Sequence, residues 1–255
     1  MAFKRFWAEL RSSEFAALDP NSTLAILPVA ATEQHGPHLP VMTDTAIAEG
    51  MIETVLARLP DDLRVLFLPV QTIGKSNEHL RSPGTITHSA DNLIRGWFEI
   101  GESVHRAGLR KLVIVNSHGG NIDVIGIVAR ELRVRLNMLV ATTQWRRFGL
   151  PAGLYAAFDA THGIHAGDIE TSLMLYFRPD LVDMLLAPKG TARPIVAKLN
   201  EDTSTALSDA TVRGKFTEQG AETVILTPEE VGKFISSETI KWRDIITKAG
   251  IPPIQ

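Results

Sequence analysis

Between residues 23 and 143, short apolar runs alternate with longer segments of helical period, and no other feature of the chain limits its fold as strongly. The runs "TLAILPVA", "VLFLPV", "KLVIVN" and "MLVATT" have strand length. The intervening segments "AIAEGMIETVLARL", "NLIRGWFEIGESVHRAG" and "IDVIGIVARELRVRL" carry apolar residues at helical spacing. Strand-helix alternation of this kind predicts an α/β fold, three-layer α/β/α with a mostly parallel sheet. At 255 residues the chain buries one substantial core, so a single domain over 1–255 is expected. In such sheets the loops leaving the carboxyl ends of the strands meet on one edge, where ligands bind.

The unusual residues fall in those loops. "EQHGPH" leaves the first strand, "IGKSNEHLRSPGT" the second, "SHGGN" the third and "QWRRFG" the fourth. Beyond residue 150, "HAGDIETSLMLYF" predicts a helix opening near Gly167, with Glu170 in or near its first turn. From Ala187 to about Gly220 the sequence is polar and reads as an irregular surface excursion or a subunit-contact segment. The last helix opens at "TPEE", where Thr227 and Glu230 form a capping box around Pro228. Trp7 and Trp97 sit in amphipathic segments and are expected in the core.

Composition narrows the function. A net charge of −3 gives no reason to expect affinity for nucleic acid or membranes, so the expected partner is a small molecule or another copy of the chain. The absence of cysteine excludes disulfides, thiolate metal sites and a cysteine nucleophile. No run approaches the roughly 18 apolar residues of a membrane span, and "MAFKRFWAEL" resembles no leader, so a cytoplasmic location is expected.

Any metal must therefore rest on histidine and carboxylates, and the first loop is rich in both. Glu33 and His35 stand two apart, so in an extended segment both side chains point the same way. Asp44 follows at the start of a helix, where Thr43 or Asp44 could simply be the N-cap; taken alone, Asp44 reads as a cap before it reads as a ligand. His118 lies in a glycine-rich turn that could also hold an anion, although the dinucleotide pattern of glycines is absent. Taken together, Glu33, His35, Asp44, His118 and Glu170 supply enough nitrogen and oxygen ligands for two divalent ions, Zn²⁺, Mn²⁺ or Fe²⁺. Asp44 is able to bridge them, and a hydroxide generated there could attack a carbonyl. His38, between two prolines, reads as a hydrogen-bonding partner of the ligands rather than a ligand. His79, with Ser76 and Gly119, is a candidate for substrate contact, His79 having a surface position as its equal alternative.

The segments "EQHGPHLPVMTDT", "SPGTIT", "NSHGGN" and "HAGDIETS" resemble, in order, the signature segments of the creatininase (creatinine amidohydrolase) family over about residues 25 to 178. The resemblance implies a creatininase-like fold, a dinuclear metal site, hydrolysis of a carbon–nitrogen bond and a hexamer built as a trimer of dimers. It matches Glu33, His35, Asp44 and His118 to metal ligands, His165 to a general base or acid, and Trp145 to a tryptophan that covers the substrate. Two departures stand out. Gly120 occupies the place of a ligating glutamate, so the missing carboxylate is assigned to Glu170, as ligand or as catalytic acid. Thr161 stands where creatininase has a tryptophan. Both argue against creatinine itself as substrate.

The expected activity is metal-dependent hydrolysis of a small amide, lactam or formamide. Deformylase, peptidase and ring hydrolase of the inosose type are the alternatives within the family. A non-catalytic binding protein on the same fold is the alternative outside it.

Overall fold

A computed structural model describes residues 3–150, 165–182, 192–218 and 223–248. Thr161, His162 and residues 187–191 and 219–220 of the polar segment lie outside the described residues. The chain divides into two compact units. The first is Met1–His35, Leu39–Leu150 and Ser172–Val182; the second is Gly36–His38, Pro151–Thr171 and Asp183–Gln255.

The first unit contains the alternation seen in the sequence. Strands β1 (Leu24–Val29), β2 (Val65–Phe67), β3 (Lys111–Asn116) and β4 (Leu139–Gln144) form a parallel sheet in the order β2-β1-β3-β4. Ala25 pairs with Leu66 on one side and Leu112 on the other, and Leu112 with Val140, so these four side chains share a face. That face, with Leu27, Val29 and Ile114, is covered by Leu93, Trp97 and Val104 of α2 (Ala90–Arg106) and by Val124, Val128 and Leu132 of α3 (Ile122–Leu136). These helical residues stand four or seven apart, so each helix turns one stripe to the sheet. The opposite face, with Val65, Phe67 and Ile26, meets Ile52 and Val55 of α1 (Thr43–Leu56). Three layers result, as the alternation implies, and both faces of the strands leave water. Trp97 is buried and Trp7 packs against the same cluster, as expected.

Helix α4 (Asp168–Phe177) opens directly after Gly167, and Met174 packs against Leu39, Ala46 and Ile47. In the second unit the polar segment is not irregular. It forms α5 (Arg193–Ser208) and α6 (Ala210–Glu218). The sequence hides them because few apolar residues mark a helical period there; Pro194 sits at the start of α5, where its missing N–H costs nothing. The last helix, α7 (Pro228–Lys248), has its capping box. Thr227 Oγ1 accepts the Glu230 N–H at 3.2 Å, and the Thr227 N–H donates to Glu230 Oε2 at 2.8 Å.

Candidate metal centre

The strand order explains why residues far apart in sequence meet. From β1 the chain crosses to β2 on one side, then returns to place β3 on the other, so the loops after β1 and β3 part at a topological switch point. The β1 loop closes through the Glu33 N–H, which donates to the Val41 carbonyl at 2.9 Å, and turns at Gly36, whose φ of +67° suits glycine. This presents Glu33 and His35. Asp44 stands in the first turn of α1, whose N-cap is Met42 without a side-chain cap bond. The capping alternative for Asp44 is therefore wrong: its carboxylate turns inward instead, at 2% exposure. His118 comes from the turn after β3.

The four side chains converge in the first unit. His118 Nδ1 lies 3.1 Å from Asp44 Oδ2 and 3.3 Å from Glu33 Oε1, and His35 Nε2 lies 3.4 Å from Asp44 Oδ1. One ligand atom from each of Glu33, His35 and Asp44 falls within 4.8 Å of the others. The two carboxylate oxygens of Asp44 thus face two different imidazoles. Each imidazole is oriented from behind by a backbone carbonyl: His35 Nδ1 is 3.0 Å from the Glu33 oxygen and His118 Nε2 is 2.9 Å from the Lys75 oxygen. A ring N–H donated to those carbonyls leaves the other nitrogen as the electron-pair donor, the usual way a ligating histidine is set.

Asp44 Oδ2 is buried and makes no aligned hydrogen bond despite its 3.1 Å approach to His118. Two groups turned toward a shared point rather than toward each other produce this geometry. A divalent ion fits it, and a donor set of imidazole and carboxylate suits Zn²⁺, Mn²⁺ or Fe²⁺.

Electrostatics agree. Burial alone would raise the pKa of Glu33 and of Asp44, but His118 and the Ser76 hydroxyl at Glu33, and His118 and His35 at Asp44, outweigh it, and both carboxyls are held below their usual range. Burial would likewise lower the pKa of His118, yet Asp44 and Glu33 raise it to about 10. The cluster calls for positive charge, which a proton on His118 supplies in the metal-free protein.

Asparagine side chains lock the loops together. Asn121 Nδ2 donates to the Ala30 carbonyl at 3.0 Å, and its Oδ1 accepts the Lys75 N–H at 2.9 Å. Asn116 Oδ1 accepts the His118 N–H at 3.1 Å. Ser76, fully buried, has its Oγ 3.4 Å from His118 Nε2, which makes it a neighbour of the ligands. His79 Nδ1 is 3.0 Å from Gln34 Nε2, and His79 Nε2 lies 3.8 Å from Glu33 Oε1. Trp145 follows β4 directly, and its indole N–H donates to Ser117 Oγ at 2.9 Å, beside His118 in the chain. Gly119 opens the short turn before α3 and is exposed.

His38, His165 and Glu170 belong to the second unit. His38 Nε2 is 2.9 Å from Thr171 Oγ1, a hydrogen bond to the residue after Glu170. Glu170, in the first turn of α4, accepts the Ala166 N–H. Sequence reasoning passed over Asn116 and Asn121, although the place of Asn116 at the end of an apolar strand, and of Asn121 just before a helix, was a signal. It also passed over Glu78, which sits 3.9 Å from His118 Nε2.

A parallel α/β sheet bearing a buried histidine–carboxylate centre at its switch point is the architecture of a metal-dependent enzyme. The chain belongs to the creatininase family, whose model, described as creatinine amidohydrolase, matches residues 8–227. It is 33% identical over 196 residues to the mycofactocin precursor peptide peptidase of Mycobacterium ulcerans (strain Agy99), covering 75% of this chain and 73% of that protein. It is 30% identical over 198 residues to the creatinine amidohydrolase of Pseudomonas putida, covering 70% of this chain and 74% of that one. Among solved structures, the manganese form of creatininase superposes with a TM-score of 0.55 at 27% identity, covering 75% of this chain and 81% of that one. A Zn–Zn form of a creatininase variant gives 0.57 at 26%, covering 75% and 83%.

Proposed function

We propose that this protein is a dinuclear metal-dependent hydrolase of carbon–nitrogen bonds, acting on a small amide, lactam or formamide. The observation that carries the reading is the Asp44 carboxylate, whose two oxygens face His118 and His35 separately, as a bridge between two ions requires. Glu33 and His118 would hold one ion, His35 the other, Asp44 both, and Glu170 would add a carboxylate. When bound, the ions supply a Lewis acid for the carbonyl oxygen and a nucleophile from water at neutral pH. The chain's own residues do the rest. The carbonyls of Glu33 and Lys75 fix the imidazoles, Asn121 holds the loops in register, and burial of Glu33 and Asp44 keeps water from competing for their oxygens. His165 is the proton carrier to the leaving nitrogen, supported by its place in the "HAGDIETS" segment. Trp145, His79 and Gly119 line the approach of the substrate, whereas Ser76, expected there from the sequence, is fully buried beside His118 and supports the ligands instead.

Gly120 in place of a ligating glutamate argues against creatinine as substrate. The similarity to a precursor peptide peptidase favours, as a second reading, trimming of a short peptide. No helix among the described residues is long and apolar enough to cross a membrane. A cytoplasmic homohexamer, a trimer of dimers, accords with the family resemblance and with exposed Ile195 and Leu199 on α5 and Phe234 on α7. Light scattering giving the 27.9 kDa mass of one chain would contradict that assembly.

The test is a panel of cyclic amides, formamides and short peptides assayed with Mn²⁺ and Zn²⁺ against EDTA-treated protein. Metal-dependent release of an amine from any of them supports the reading. Metal content well under one ion per chain at saturation, with no turnover, supports the binding-protein alternative instead.

A further inference from the structure

Three imidazoles of the first unit approach the carboxylates of Glu33 and Asp44, and the group behind each ring sets which of its nitrogens carries the proton. Behind His35 and His118 stand backbone carbonyls, which only accept, so the ring N–H turns to them and the nitrogen facing the carboxylates is left to bind metal. Behind His79 stands a donor. Gln34 Nε2 lies 3.0 Å from His79 Nδ1, and an amide NH₂ only donates, so Nδ1 accepts and the proton of the neutral ring sits on Nε2. That nitrogen is the one 3.8 Å from Glu33 Oε1, the same oxygen that His118 Nδ1 approaches to 3.3 Å.

We infer that Gln34 is a positioning residue that fixes His79 as a neutral Nε2–H donor, and that His79 is a catalytic residue, giving this hydrogen bond to the carbonyl oxygen of the amide as that oxygen gains negative charge. The inference rests on the hydrolase reading. At 3.8 Å, Nε2 and Glu33 Oε1 are too far apart to bond to each other, so the donor borders the centre without bonding to that carboxylate. A donor fixed before the reaction stabilises developing charge without reorganisation, and a neutral imidazole does so without placing another cation beside the metal. The pair is held from the main chain. The Gln34 N–H donates to Thr85 Oγ1 at 3.2 Å, the Ile86 N–H to the Thr32 carbonyl at 2.9 Å and the Ser82 N–H to the His79 carbonyl at 2.9 Å, so the loop after β1 and the loop after β2 are tied around it. The side chain of His79 is 22% exposed against 0% for Glu33, which puts it where the buried carboxylate opens to solvent and a substrate can enter. A histidine that merely packed on this loop would have no use for one tautomer over the other.

The experiment reads the tautomer and the turnover separately. Zinc-loaded, ¹⁵N-labelled wild type at about pH 8, where an ordinary imidazole is neutral, is compared with Gln34→Glu and Gln34→Met. Long-range ¹H–¹⁵N correlation shows which nitrogen of His79 is protonated, and His79→Ala assigns the signal. Wild type is expected to carry the proton on Nε2. Gln34→Glu, which only accepts at this pH, should move it to Nδ1, and Gln34→Met should leave the two forms mixed. On an amide of the panel that wild type hydrolyses, Gln34→Glu and His79→Ala should each lower kcat by about 10²–10³-fold, the loss that follows removal of one oxyanion donor, with KM and zinc content held. A wild type protonated on Nδ1, or a tautomer that Gln34→Glu does not change, would overturn the role of Gln34. An unchanged kcat in His79→Ala, or a fall that comes with loss of zinc, would overturn the catalytic role of His79, the second by making it a support of Glu33. Wild type that binds zinc and hydrolyses no amide would overturn the hydrolase reading beneath, while the tautomer still decides the part assigned to Gln34.

Discussion

Adding one methyl group at Gly120 tests the packing on which the centre depends. The new Cβ would sit 2.1 Å from the Lys75 carbonyl oxygen, well inside the 3.0 Å that real Cβ contacts essentially never undercut, so the 75–79 loop must move by close to an ångström. That carbonyl orients His118 through a 2.9 Å bond, and the Lys75 N–H is held by Asn121, so the movement breaks bonds on both sides. Forcing atoms into a packed site costs about 1–3 kcal/mol, and leaving a buried partner unsatisfied costs about 1–3 kcal/mol more. Gly120→Ala should therefore lose about 2–6 kcal/mol. At this chain length each 1 kcal/mol moves Tm by about 2–4 °C, giving a fall of about 4–24 °C. Gly126 is the control: it lies within α3 with nothing inside 4 Å of its Cβ position, and alanine there should be neutral or stabilising by up to about 1 kcal/mol. Thermal melts of metal-free wild type and both variants decide the matter. A Gly120→Ala melt that overlays the Gly126→Ala melt would refute the reasoning.

Two further outcomes follow from the same geometry. His118 has a folded pKa of about 10 against 6.5 unfolded, so its contribution to stability is complete below pH 6.5 and lost as pH rises toward 10; Glu33 and Asp44, held low, lose theirs as pH falls below their unfolded values of 4.5 and 3.8. Metal-free protein should thus melt progressively earlier from pH 7 to pH 10, an effect that bound metal removes by displacing the proton; a metal-free Tm that rises over that range would contradict this. Trp97→Ala, at a buried position between α2 and the sheet, should cost about 3–5 kcal/mol in chemical denaturation while metal content per folded chain stays unchanged.

How much of this could be read from sequence depended on the range of the interaction. The strands and helices of residues 23–143 were legible because periodicity is local, and the loops carrying Glu33, His35, Asp44 and His118 were legible because strand ends are. The order β2-β1-β3-β4, which brings the first and third of those loops together, has no local signature. Asp44 remained open between cap and ligand, since both readings use an acidic residue in a first helical turn; only the backbone at Met42 decides. Helices α5 and α6 were missed because their sequence is polar nearly all round. Glu78 was missed for a different reason: it meets His118 at a separation of 40 positions, and nothing near it in the chain marks that contact. Gly120 was visible as a departure from the family, but the carbonyl of Lys75 that forbids a side chain there is visible only in three dimensions.

The central claim is that one carboxylate, Asp44, joins two ions. Asp44→Asn keeps the size of the side chain and removes the charge that both His118 and His35 face. Elemental analysis of metal-saturated protein measures the consequence directly. The account expects about two divalent ions per chain in wild type and fewer than one in Asp44→Asn, because a bridge cannot be lost from one site alone. Two ions retained in Asp44→Asn, or a wild type that saturates at one, would contradict it.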